Sequence, residues 1–393
     1  MAAGDAAWDG RAMMIESMTR RRPAAGATGV TLAGRRVSLL DRARVYACGI
    51  TPYDVTHLGH ASTFVWVDTL SRVLRVLGVE PVVCRNVTDI DDVLDTAAQQ
   101  AGVRYDHFAA FQQFRFEDDM AALNVRAPDH EPRAHSYVDP VIRLAGALAE
   151  SGSAYVREGS VYFRGRAVLD RSGLAEAEAL RLAREYGGRP DDQAKEDPFD
   201  VAVWQAAEPE HPAWDSPWGP GRPGWHAECV AMSLSVFGVG VDVHAGGADL
   251  RFPHHAYHAA MAEALTGVAP YARAWLHAGT VTVDGAKMAK SAGNLVLVKN
   301  LLAGHPAPVV RLMIVDRPWA QGWDYTPDLL DRAATRLESL HRAAGRPLEA
   351  RESEIERLRR LLGTDLDVPA AIDLAVETGG SAARLLTAAL GLS

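Results

Sequence analysis

The chain has 393 residues, enough for two or three domains, and its 48% apolar and 23% charged content is ordinary for a soluble globular protein. A net charge of −9 supplies no general basic field for nucleic acid, and the three cysteines, Cys48, Cys84 and Cys229, are too few for a disulfide framework. With no apolar run of membrane-spanning length and no charged-then-apolar signal segment, the expected location is the cytoplasm.

Residues 1–30 are rich in Ala, Gly and Arg and are read as a mobile leader, within which Met13, Met14 and Met18 could each begin translation. Residues 31–150 alternate strand-like and helix-like segments: VYACGI, a helix from His57 to Leu77, PVVCRNVTD, then DDVLDTAAQQ. That order predicts a βαβ unit and a parallel sheet, hence an α/β fold. A strand that enters a helix through a glycine-containing turn presents backbone N–H groups and the positive helix end, which suits a triphosphate. In HLGH, His57 and His60 lie one turn apart on one helix face, and Gly59 lets a base or ribose approach the backbone. Asn86, Thr88, Asp89, Asp91 and Asp92 follow the second strand, where open α/β sheets bind ligands; Asp89, Asp91 and Asp92 also read as a helix cap and acidic first turn.

Residues 151–224 read as an insertion with a strand pair (SAYVREGSVYFR), a charged helix over Glu176–Glu185, the strand VAVWQ and a long Pro/Gly loop. Residues 225–302 resume the alternation. Trp225, His226 and Cys229 enter a helix, VDVHAGGADL is a strand ending in a glycine turn, and Pro253 is placed at a helix entrance. His254 and His258 are four apart, a spacing at which two imidazoles can share a metal. VDGA reads as a hairpin turn before KMAKS, whose Lys287 and Lys290 lie between Gly285 and Gly293. Residues 303–393 show three-to-four periodicity and predict a helical bundle.

Cys48, Cys229 and His254 each fall at a strand end or helix start of the same sheet. Two thiolates and one imidazole form a soft set that selects zinc and leaves a fourth position open; two core cysteines with a capping histidine remain the alternative. Lys287 and Lys290 suit charge developing on a triphosphate, with a solvated basic turn as the alternative.

HLGH and KMAKS resemble the two signatures of class I aminoacyl-tRNA synthetases, in the right order. CGITPYD, NVTDIDD, GWHAEC, GGADLRFPHH and KMAKSAGNL narrow the resemblance to the cysteinyl branch, and within it to the mycothiol-pathway cysteine ligases, through CGITPYDVTHLGHAST, EYGGRP, DPFDVAVW, KSAGNLVLV and LDVPAA. The resemblance implies a Rossmann-like parallel-sheet catalytic domain with an inserted α/β subdomain and a C-terminal helical bundle. It also implies ATP-dependent cysteine activation, with Mg2+, and transfer of the cysteinyl group to the amine of glucosaminyl-inositol.

Carried over by position, Cys48, Cys229 and His254 would hold one zinc ion that takes the substrate thiolate, with His258 as a possible further ligand. His57, His60, Lys287 and Lys290 would act on the ATP phosphates. Cys48, Gly49, Ile50, Thr51, Thr63, Asn86, Val87, Thr88, Trp225, Gly247, Ala248, Asp249 and Val281 would surround the cysteinyl adenylate. The chain departs from the family pattern at Ala248, Arg251, Ala256 and Ala289, so a cysteine ligase acylating another amine stays open beside a truncated cysteinyl-tRNA synthetase and a regulatory paralogue. Too little chain follows KMAKS for a full anticodon-binding region, so small-molecule partners, no tRNA, no membrane and a monomer are expected.

Overall fold

The structure, a computed structural model, describes residues 28–53, 55–209, 211–289 and 292–393. Most of the expected leader, residues 1–27, and Lys290 lie outside the described residues. The chain enters through an antiparallel hairpin, β1 (Thr28–Leu32) and β2 (Arg35–Leu39), so residues 28–30, read as leader, belong to a strand. Its signal is present in GVTLAGRRVSL: Val30, Leu32, Val37 and Leu39 alternate and are all buried.

The hairpin is followed by β3 (Arg42–Ile50), α1 (Leu58–Val76), β4 (Glu80–Val87), α2 (Asp92–Ala101), α3 (Tyr105–Ala122) and α4 (Val138–Glu150). The inserted region holds β5 (Ala154–Arg157), β6 (Ser160–Phe163), α5 (Arg166–Ser172), α6 (Glu176–Glu185), β7 (Val201–Ala206) and β8 (Gly221–Pro223), and its four strands form an antiparallel sheet in that order. The chain then forms α7 (Trp225–Phe237), β9 (Val241–Gly247), α8 (Ala256–Thr266), β10 (Ala272–Ala278), β11 (Val281–Val283) and β12 (Ala286–Lys287). Last come α9 (Val298–Gly304), α10 (Ala307–Val315), β13 (Trp323–Asp324), α11 (Asp328–Ala344), α12 (Glu352–Gly363), α13 (Val368–Thr378) and α14 (Gly380–Ala389). No described helix is long and apolar enough to cross a membrane.

The central sheet has the order β10-β9-β3-β4 and is parallel throughout. Because a strand sends alternate side chains to opposite faces, β3 serves two cores: Val45 and Ala47 pack with α1, while Tyr46 and Cys48 pack with α7, α4 and α8. The second face is where the chemistry gathers. Helix α1 begins at His57, whose Nδ1 accepts from the Gly59 N–H at 3.1 Å, and ends just before Gly78 at φ +82°.

Two local departures have physical reasons. Within the expected Pro/Gly surface loop, Gly221–Pro223 pairs with β7 at a sheet edge, where proline's missing donor costs no ladder bond. Pro253 lies in a π-type turn over Arg251–His255, because Phe252 has extended backbone angles of −141° and 134° that postpone the helix to Ala256. The C-terminal helices share one continuous apolar core with α1 and the strands above it.

Candidate active site

The register of β3 and β4 shifts between Ala47 and Ile50, at the carboxyl end of the sheet. Gly49 makes this possible: a Cβ there would lie 1.6 Å from the Asn86 carbonyl oxygen. The Gly49 N–H donates to Asn86 Oδ1 at 2.9 Å, Asn86 Nδ2 donates to Thr88 Oγ1 at 3.1 Å, and the Thr88 N–H donates to the Ile50 carbonyl at 2.9 Å. Gly49, Ile50, Asn86, Val87 and Thr88 thus form one rigid strand-end knot that aims Cys48 at α7. Thr51 follows, half-buried, at the start of the turn.

Cys48, Cys229 and His254 converge, with their ligand atoms all within 4.8 Å of one another and all three residues buried. Cys48, His244 and His255 form a second such set that shares Cys48. The Nδ1 atoms of His226 and His254 lie 2.9 Å apart, so one donates to the other and His254 keeps Nε2 for a further partner. Burial, followed by contact with Cys229, pushes the Cys48 thiol well up, and burial followed by the neighbouring histidines holds His254 neutral. Buried sulfur and neutral imidazole with no counter-charge are donors that a soft divalent cation would satisfy, so the residues fit zinc. His258 is in neither set. Its Nε2 lies 2.9 Å from Ser233 Oγ, and its buried Nδ1 has no partner.

The two signature motifs meet each other, with Met288 of KMAKS beside Gly59 of HLGH. The His57 and His60 rings stack at 3.9 Å, a tighter pairing than a shared helix face alone requires. Desolvation, followed by His57 and the Lys287 ammonium, lowers the His60 pKa; because this residue is exposed, solvent blunts the first effect while the two neighbours act in the same direction. A backbone bridge between His57 and Leu297 ties the stretch after the lysine loop to the start of α1, reinforced by the Leu58 N–H to Val296 carbonyl bond of 2.8 Å. β11 and β12 form the expected hairpin, with Asp284 and Gly285 at φ +51° and +74°. It presents Lys287, whose Nζ lies 3.1 Å from Asp249 Oδ2 and 3.4 Å from Tyr186 Oη.

Gly247, Ala248 and Asp249 turn out of β9 beside this lysine, and a Cβ on Gly247 would stand 3.7 Å from Thr63 Oγ1. Trp225 opens α7 and stacks on His254 at 4.2 Å, and Val281 is buried at the start of β11. Asp91 caps α2 by accepting from the Val93 N–H, while Asp92 pairs with Arg222 of the insertion and Asp95 with His211. Asp92 and Asp95 thereby fasten the insertion to α2.

Several residues at the site escaped the sequence reading. His244 and His255 complete the second candidate set with Cys48, and His277 lies 2.9 Å from His255 across their ring nitrogens. Glu228, beside Cys229, is buried with neither carboxylate oxygen partnered, and desolvation raises its pKa well above the carboxylate range. Tyr186 reaches the site from the insertion. Glu228, His255 and Tyr186 lie within the quoted motifs GWHAEC, GGADLRFPHH and EYGGRP, and His244 within the strand VDVHAGGADL, but none is assigned a role there.

Comparison with known proteins places this geometry. The family described as tRNA synthetases class I (C) catalytic domain matches residues 37–335. A Thermomonospora curvata protein named L-cysteine:1D-myo-inositol 2-amino-2-deoxy-alpha-D-glucopyranoside ligase is 42% identical over 338 residues, 84% of this chain and 81% of its own. The Mycobacterium tuberculosis protein of the same name is 41% identical over 370 residues, 88% of each chain. Among solved structures, Mycobacterium tuberculosis methionyl-tRNA synthetase with methionyl-adenylate superposes with a TM-score of 0.64 at 17% identity, covering 86% of this chain and 82% of that one. A putative arginyl-tRNA synthetase of Campylobacter jejuni reaches 0.59 at 13% identity, covering 97% and 98%. These two show the fold. The family match spans both signature motifs and the cysteine–histidine pocket, and the chain belongs to the class I (C) tRNA synthetase catalytic-domain family.

Proposed function

We propose that the chain activates L-cysteine with ATP as cysteinyl adenylate and passes the cysteinyl group to the amine of an amino-sugar inositol, forming an amide, AMP and pyrophosphate. The observation that carries this reading is the convergence of Cys48, Cys229 and His254, linked to Lys287 through the rings of Trp225 and Tyr186. The names of relatives at 41–42% identity support the acceptor.

Cys48, Cys229 and His254 would hold a zinc ion, which supplies a soft Lewis-acid position that prefers a thiol to the hydroxyl of serine. Trp225, stacked on His254, walls that position. Asp249 offers its carboxylate to the substrate ammonium. His57 and His60 contact the triphosphate, with desolvation and its cationic neighbours favouring the neutral form of His60, and Lys287 brings positive charge to it as the cysteine carboxylate attacks the α-phosphate. The acceptor amine then attacks the mixed anhydride. Positioning and charge stabilisation carry the rate, with no covalent bond to the protein.

The test is cysteine-dependent exchange of labelled pyrophosphate into ATP, followed by the product mass with glucosaminyl-inositol. Exchange with cysteine but not serine, together with an amide product, is expected. Absence of exchange would overturn the reading, and exchange without transfer would replace the acceptor alone.

Gly59 supplies a second check. A Cβ there would stand 2.9 Å from His57 Cε1 and 3.4 Å from Met288 Cε, so it would push apart the two motifs that meet over the triphosphate. Gly59→Ala is expected to weaken ATP binding about tenfold, ~1.4 kcal/mol by calorimetric titration. The melting temperature should not fall, because alanine favours the helix.

A further inference from the structure

Lys287 is exposed, yet its ammonium is held on two sides. Asp249 Oδ2 accepts from Nζ at 3.1 Å, and Tyr186 Oη accepts at 3.4 Å, with the same Nζ 5.5 Å from the tyrosine ring centroid. Tyr186 comes from the inserted region, at the C-terminal end of α6, and α6 packs against the Arg251–His255 turn that carries His254. Its ring also stacks on Trp225 at 6.4 Å and 23°, and Trp225 stacks on His254 at 4.2 Å and 19°. One row of rings therefore runs from the lysine to the metal pocket.

This arrangement puts two ammonium groups in competition for one carboxylate. Asp249 now neutralises Lys287; the α-ammonium of cysteine carries the same charge and must displace it to pair there. We propose that Tyr186 is a further positioning residue for the reaction: it holds the Lys287 ammonium over Asp249 until substrate takes that carboxylate, and it remains the pivot from which the lysine swings to the triphosphate. This inference rests on the cysteine-activating function proposed above. The displaced ammonium keeps the cation–π face and the phenol oxygen of Tyr186 as partners, so it stays near the phosphates instead of entering bulk solvent.

The test uses the full chain in two arms. In the first, ligand-free protein is digested briefly with trypsin, and the Lys287–Met288 cut is timed by mass spectrometry, a readout that does not depend on the reaction. In the second, cysteine-dependent pyrophosphate exchange is resolved into kcat and KM. Tyr186→Ala is expected to speed the cut severalfold and to lower kcat about tenfold while the cysteine KM stays within about twofold. Tyr186→Phe, which keeps the ring and its stack, should recover most of kcat. A cut rate equal to wild type in Tyr186→Ala overturns the tether, and a faster cut with unchanged kcat overturns the positioning role. If the wild-type protein performs no exchange, the functional reading fails by itself and takes the positioning role with it, while the trypsin arm separately decides whether Tyr186 holds Lys287.

Discussion

Replacing Cys229 by alanine is expected to remove zinc from the purified protein and to lower cysteine-dependent pyrophosphate exchange by more than about 100-fold, the loss that mutation of an outer-shell partner alone can reach. Cys229 is 1% exposed on α7, and its sulfur completes the set with Cys48 and His254. Without it, that set keeps two donors, and the remaining set of Cys48, His244 and His255 has one sulfur where the first had two, so a soft cation loses the two-thiolate ligation that makes the site selective. The substitution also deletes a buried sulfur, which costs about 1 kcal/mol or more through the cavity it leaves. Cys84→Ala separates the two effects. Cys84 is fully buried in the same core but belongs to neither metal set, so it should lose comparable stability while keeping metal and exchange. Elemental analysis, exchange rate and melting temperature of the two variants decide the matter; retention of one zinc per chain in Cys229→Ala would remove Cys229 from the ligand set.

The contrast between Cys48 and His244 shows what could be read from the amino-acid order. The alternation of β3 and the glycine turn after it are local patterns, so the parallel sheet and the strand-end position of Cys48 can be expected from the amino-acid order alone. The convergence of Cys48 with Cys229, 181 positions away by their residue numbers, has no local signal; it was expected from chemical type and from family resemblance. His244 had neither aid. Within VDVHAGG it looks like any strand residue, and its place between Cys48 and His255 depends on β9 lying beside β3. Tyr186 is a similar case, since its meeting with Lys287 depends on α6 of the insertion packing against the Arg251–His255 turn. Two glycines mark the limits of pattern reading from the other side. Gly59 was read for closeness to a ligand, and its immediate neighbours are His57 and Met288. Gly49 was read as a turn residue, whereas its lack of a side chain lets β3 and β4 close at a register shift.

Arg311→Ala is expected to destabilise the chain by about 3–5 kcal/mol without touching the active site. Arg311 is fully buried on α10 and makes contacts in three directions: Nε donates to the Leu390 carbonyl at 2.6 Å, Nη1 to the Leu123 carbonyl at 3.1 Å, and Nη2 to the Asp68 carboxylate of α1. Asp68 also accepts from Arg72 Nε at 2.7 Å. The group therefore pins the catalytic helix to the last residues of the chain, inside the core shared by both. Alanine would take this donor from the Leu390 and Leu123 carbonyls and leave the Asp68 carboxylate with only Arg72 Nε and the Arg126 N–H as partners, beside a buried cavity. Arg311→Met, which fills the volume, should lose clearly less, separating packing from pairing.

Acid supplies an independent check with a definite sign. Burial alone would raise the Asp68 pKa, but the Arg311 and Arg72 guanidinium groups outweigh it and hold the folded value below the usual one. A depressed carboxylate stabilises the fold fully above its unfolded pKa of about 3.9 and loses that contribution as pH falls through the folded value. The stability gap between wild type and Asp68→Asn, from urea melts, should therefore be flat between about pH 5 and 8 and shrink below about pH 4. A gap that widened on acidification would mean that the carboxylate is not the partner that holds Arg311 in the core.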